Sequence, residues 1–71
     1  MDLKTIQEIK DVILKSDEKY ATLQCLNPLI VSINDEFYEY KVPQNLVMEL
    51  LEHPDFETQY DNMQIIITLK K

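Results

Sequence analysis

Glycine, arginine and tryptophan are absent from the 71 residues of this chain, and cysteine and histidine occur once each. Without glycine, every left-handed turn position falls to Asn, Asp or a strained residue. A glycine-rich phosphate cradle is excluded outright. Without arginine, all positive side chains are lysines, whereas proteins that read phosphates or guanine edges rely heavily on the guanidinium fork. A single cysteine, Cys25, precludes an internal disulfide and implies a reducing compartment. Alternation with Leu23 and Ala21 marks Cys25 as a small buried core residue. No apolar run approaches the ~20 residues of a membrane span. The N-terminal MDLKTIQEIKD carries charges every few residues and no signal-type apolar segment. The expected location is the cytoplasm, with no membrane association.

What is present describes one α+β domain over residues 1–71. Hydrophobic residues make up 45% and charged residues 28%, enough apolar content for a core and too much for wholesale disorder. A domain of this size buries only about 60% of its unfolded surface, so its stability is modest. The net charge is −6 and is unevenly placed: residues 1–34 carry five acids against four lysines, residues 35–69 eight acids against Lys41 alone. Direct nucleic-acid binding lacks its basic footprint. An acidic half-domain instead favours a basic partner through steering and charge complementarity. The alternative is that acidity serves only solubility.

Leu3, Ile6, Ile9 and Ile13 recur at helical spacing, with Leu14 at the edge of the stripe, which predicts a helix over residues 3–15. SDEK at 16–19 breaks the period as a loop. YATLQCL, LIVSI and FYEYKV then read as strands over 20–26, 29–33 and 37–42, with Asn27-Pro28 between the first two. Val42-Pro43 opens a second helix, about 43–53, which stops at His53-Pro54. HPDFETQYDN reads as a polar connection, and MQIIITL at 63–69 as the last strand. The expected order is helix-strand-strand-strand-helix-strand, an antiparallel-rich sheet with both helices on one face.

A two-residue loop at Asp35-Glu36 would place Ile33 opposite Tyr38, Val31 opposite Tyr40 and Leu29 opposite Val42, gathering the apolar side chains on one face. Moving the loop by two residues preserves that face; a slip of one destroys it. Tyr38 and Tyr40 then face the core, and Phe37, Glu39 and Lys41 face away beside Ile30 and Ser32. Asp35, Glu36, Phe37 and Glu39 are the part of NDEFYEY available to a partner, with Phe37 as an aromatic anchor unless another element covers it. On the second helix, Leu46, Val47, Leu50 and Leu51 form the buried stripe, leaving Met48, Glu49 and Glu52 outward.

No residue pattern supports catalysis or a cofactor. His53, beside a proline at a helix end, reads as a partner for terminal carbonyls. The pairs Asp17-Glu18 and Asp35-Glu36 fall on loops, where solvated surface is the default. No calcium-loop or zinc-site spacing occurs.

MDLKTIQEIK, LIVSINDEFYEYKV with its following helix, and YDNMQIIITLK are together similar, over about half the chain, to the smallest acidic prophage-encoded type II-A anti-CRISPR proteins. That resemblance implies a non-enzymatic inhibitor that occupies the DNA-reading cleft of a CRISPR nuclease as a DNA mimic, its carboxylates standing in for phosphates. The matching positions here are Asp35, Glu36 and Glu39 on the hairpin, and Asp55, Glu57 and Asp61 after the second helix. The chain departs from the family in lacking its dense acidic run, and in ending on a strand-like rather than helical segment. YEYKVP with its following helix also resembles a small bacterial strand-strand-helix domain (KTSC), whose glycines are missing here.

The expected function is therefore inhibition, by DNA mimicry, of a basic, nucleic-acid-handling host protein. The surface offered is Asp35, Glu36, Phe37, Glu39, Met48, Glu49, Glu52, Asp55, Glu57 and Asp61. The alternative is a structural module, such as a homodimer or complex subunit, that packs Phe37 and Ile66 against a mate or pairs its C-terminal strand edge to edge.

Overall fold

The computed structural model describes residues 2–24 and 28–70. Cys25, expected in the core, lies outside the described residues. The elements are α1 (Ile6–Lys15), β1 (Tyr20–Gln24), β2 (Leu29–Ile33), β3 (Glu36–Tyr40), α2 (Gln44–Glu52), β4 (Phe56–Asp61) and β5 (Gln64–Leu69). The five strands form one antiparallel sheet in the order β3-β2-β1-β5-β4. Helix α2 carries the chain from one sheet edge to the other, and β5 returns to the centre beside β1. The α+β class and the placement of both helices on one face agree with the sequence.

Local chemistry accounts for the helix boundaries. Thr5 caps α1, its hydroxyl oxygen accepting the Glu8 N–H at 3.1 Å, while the Glu8 carboxylate accepts the Lys4 N–H at 3.1 Å and the Thr5 O–H at 3.2 Å. This is the reciprocal logic of a capping box. It starts the helix at Ile6 rather than at residue 3. Leu3 is still buried, but as an extended residue whose N–H donates to the Lys41 carbonyl at 2.9 Å. At the far end the Ser16 hydroxyl donates to the Ile13 carbonyl at 2.6 Å. The Lys19 ammonium donates to that of Leu14 at 2.6 Å, a cation where the helix dipole favours one.

One core lies between the helices and one sheet face. Ile9 and Ile13 of α1 and Leu46, Val47 and Leu50 of α2 meet Ala21, Leu23, Leu29, Val31, Tyr40, Phe56 and Ile67. Tyr38, Ile33, Ile65, Leu69 and Leu51 complete it, partly buried. Leu14, expected at the margin of the α1 stripe, is exposed.

Several expectations are corrected. The connection after α2 contains a strand: in FETQYD, Phe56, Thr58 and Tyr60 alternate with Glu57, Gln59 and Asp61, and all six residues pair with β5. A single buried side chain, Phe56, anchors it, so its alternation carries little hydropathy signal. Asn62-Met63 closes the β4–β5 hairpin, and β5 begins at Gln64 rather than at residue 63. Because β5 is interior, the C-terminal strand has no free edge to offer a mate; the edges are β3 and β4.

The β2–β3 loop is Asn34-Asp35, not Asp35-Glu36. The pairs are Ile33–Glu36, Val31–Tyr38 and Leu29–Tyr40, a shift of two residues that leaves the faces as expected. A two-residue turn matching strand twist needs positive φ at its first central position or at both. Asn34 and Asp35 have φ of 54° and 66°, which their side-chain types tolerate and Glu36 would not.

Candidate functional site

Pairing register decides where each candidate side chain emerges. One face of the sheet is covered by the helices; no element covers the other among the described residues. Across this open face one rung runs Glu39, Ile30, Thr22, Ile66, Gln59 from edge to edge. A second places Phe37 beside Ser32 on one side, and Tyr20, Thr68 and Glu57 on the other. Asp61 closes a third, next to Gln64 and Gln24. The centre is therefore apolar and hydroxylic, and carboxylates stand on both outer strands. Phe37 is 80% exposed, far more than an aromatic serving a core.

The ten expected site residues do not form one patch. Phe37, Glu39, Glu57 and Asp61 share the open face. Glu36 shares the helix side with Tyr38, whose hydroxyl donates to its carboxylate at 2.9 Å; that hydrogen bond raises the Tyr38 pKa. Asp35 is at the exposed tip of the hairpin. Met48, Glu49 and Glu52 are exposed on α2, on the helix side of the sheet, away from Phe37. Asp55 is engaged internally: Lys10 donates to it at 2.6 Å, and this contact holds its carboxyl below the ordinary value.

His53 does not serve the helix carbonyls through its ring. Its Nδ1 accepts the Asp55 N–H at 3.1 Å, and its ring meets Phe56 edge to face at a centroid distance of 5.4 Å. The same Nδ1 lies 3.9 Å from the Asp55 carboxylate.

Asp17, in a loop that reads as solvated, is a keystone of the hairpin. Its carboxylate accepts the N–H groups of Asn34 at 2.8 Å and Asp35 at 3.0 Å, and the Ser32 hydroxyl at 3.2 Å. The Asp35 and Asn34 amides pull its pKa below the ordinary carboxyl value. Its own N–H donates to the Ser32 carbonyl at 2.8 Å. Asp17 therefore fixes the strained turn from a distant part of the chain, and nothing in its local sequence signals that.

Next to Phe37 the open face is indented by a cavity of about 170 Å³, lined by Ser16, Glu18, Tyr20, Thr22, Ile30, Val31, Ser32 and Phe37. An engineered cavity of comparable size, ~150 Å³, admits a benzene ring. Glu18, Tyr20 and Thr22 escape a search for motifs. The only sequence signal for Tyr20 and Thr22 is that alternate β1 residues must face away from Ala21 and Leu23, and Glu18, in the loop before β1, has none.

No three metal-ligating side chains converge among the described residues, and no helix there is long and apolar enough to cross a membrane. The chain matches no protein-family model, none of the curated proteins and no solved structure.

Proposed function

We propose that this protein is a small non-enzymatic inhibitor, acting in the cytoplasm, that binds a basic nucleic-acid-handling protein through its acidic surface. One observation carries the reading. Asp35, Glu36, Glu39, Glu49, Glu52, Glu57 and Asp61 are all exposed, and none forms an ion pair among the described residues, where the only lysine–carboxylate bridge is Lys10–Asp55. Of these, Glu39, Glu57 and Asp61 stand on strands of the open face that hold them in fixed relation, and they compete with phosphates for lysine and arginine without having to be ordered on binding. The resemblance to DNA-mimicking anti-CRISPR proteins supports the same reading, and a phage or mobile element is the source it implies.

The experiment is affinity capture from a bacterial lysate with the wild-type protein and with a Glu39→Lys/Glu57→Lys/Asp61→Lys variant. The wild type retains a basic protein that elutes as salt rises past the range where the Debye length falls below ~10 Å. The variant does not retain it. Equal capture by both, unaffected by salt, would sink the acidic-surface proposal.

A homodimer, the second reading, draws on the exposure of Phe37 and the half-buried Ile66. It brings Glu39, Glu57 and Asp61 of two copies together, which costs repulsion.

A further inference from the structure

We propose that the open sheet face is the docking surface for a basic amphipathic helix of the partner, and that the cavity beside Phe37 receives an arginine from that helix. This rests on the reading of the protein as a binder of basic proteins and names the surface and side chain involved.

The dimensions fit a helix. Neighbouring strands lie ~4.8 Å apart, so the outer strands β3 and β4 are about 19 Å apart across the sheet. A helix with its side chains is ~10–12 Å across. Laid over β2, β1 and β5, it would rest its apolar stripe on Ile30 and Ile66, which flank Thr22 on one rung. Its two flanks would then stand within reach of Glu39 on one outer strand and Glu57 and Asp61 on the other. Charge supports this occupant over an acidic or neutral one. Four carboxylates, those of Glu18, Glu39, Glu57 and Asp61, border this face. The two lysines that fall on it by alternation, Lys41 and Lys70, lie beyond the strand ends, and neither lines the cavity.

The cavity selects arginine by its chemistry. Phe37 and Tyr20 supply aromatic surface on which a guanidinium stacks. Ser32 and Thr22 supply hydroxyl acceptors, and Glu18, exposed and without an ion pair among the described residues, supplies the counter-charge. A volume of about 170 Å³ is of the order needed for one such side chain. Aromatic and arginine contacts of this kind dominate interface energetics.

The test titrates the isotope-labelled protein with a synthetic helical peptide of leucine and arginine in amphipathic spacing, and with the same peptide carrying lysine for arginine. Amide shifts are read by NMR at low and at physiological salt. The expected result is salt-sensitive binding with shifts at Thr22, Ile30, Ser32, Phe37, Ile66 and Thr68, and weaker binding of the lysine peptide. Phe37→Ser weakens it by about tenfold or more, and Glu18→Gln by about threefold or more. Because Phe37 and Glu18 are exposed, neither variant endangers the fold. Shifts at Met48, Glu49 and Glu52 that survive Phe37→Ser would overturn the docking surface while leaving the acidic-binder reading intact. Absence of salt-sensitive binding to either peptide would remove both. A dimer that buries Ile66 and excludes the peptide would also overturn the proposal, by making a second copy the occupant.

Discussion

Replacing Lys19 by glycine and by alanine gives a sharp test of how a chain without glycine turns its corners. Lys19 enters β1 with φ of 63°, and no Asx side chain eases that conformation. A left-handed L-residue costs roughly 1–2 kcal/mol relative to its right-handed form. Glycine removes that cost and returns about 0.5–1 kcal/mol through the greater freedom of the unfolded chain. The net gain from the backbone is about 0.5–1 kcal/mol. Both substitutions lose the ammonium donated to the Leu14 carbonyl, a dipole-favoured contact worth about 0.3–1 kcal/mol at an exposed helix end. Lys19→Gly should therefore lie near the wild type, and Lys19→Ala below it. The difference between the variants isolates the backbone term, and at about 4–8 °C per kcal/mol for a domain of this size it separates their melting temperatures by several degrees. Thermal melts by circular dichroism, with urea titrations to convert them to free energy, measure it. An alanine variant as stable as the glycine variant would refute the reasoning, since at ordinary helical or strand positions alanine is the better residue.

Four further outcomes follow from the same structure. Ile67→Ala, in an interior strand and fully buried, should cost about 2–5 kcal/mol, a large part of the roughly 4–11 kcal/mol available to 71 residues; chemical denaturation reads it. Phe37→Ser should leave stability within about 0.5 kcal/mol, which separates its role in binding from any role in folding. Asp17 and Asp55 have carboxyl pKa values depressed below the ordinary 3.8. Their stabilisation is present above that value and is lost as pH falls through the lower folded values; Asp17→Ala should flatten the acid limb of a pH–stability curve. The same variant should lose hydrogen-exchange protection at the Asn34 and Asp35 amides, while the β1–β5 amides keep theirs.

Much of the fold is legible because its signals are periodic. The apolar stripes Leu3-Ile6-Ile9-Ile13 and Leu46-Val47-Leu50 announce amphipathic helices, and the alternation of β2 and β3 fixes which side chains share a face even though the loop lies one residue earlier and each pairing partner two residues earlier than expected. Hydrophobic matching cannot place the loop, because it is blind to even shifts of the pairing. Turn chemistry decides between them: Asn34-Asp35 accepts two positive φ values and Asp35-Glu36 does not. The start of α1 is not legible from the apolar stripe, which runs back to Leu3, because the Thr5–Glu8 cap sets it at Ile6. Strand β4 is harder to read, since Thr58 and Tyr60 present little hydropathy contrast with Glu57 and Gln59, and pairing with β5 rather than local preference makes the strand. The candidate site was legible as residue types and not as a surface. Charge counting finds Glu39, Glu57 and Asp61 but also Asp55, which Lys10 holds, and Glu36, which faces the other side of the sheet. Asp17 escapes entirely because its partners lie well over a dozen residues away.

The central claim is that the exposed carboxylates take the place of nucleic-acid phosphates on a basic partner. Its most direct test is equilibrium competition on the captured partner, with labelled duplex DNA displaced by increasing amounts of the protein. Mutually exclusive binding is predicted, with displacement abolished in the Glu39→Lys/Glu57→Lys/Asp61→Lys variant. A ternary complex in which the partner holds DNA and this protein together would contradict it.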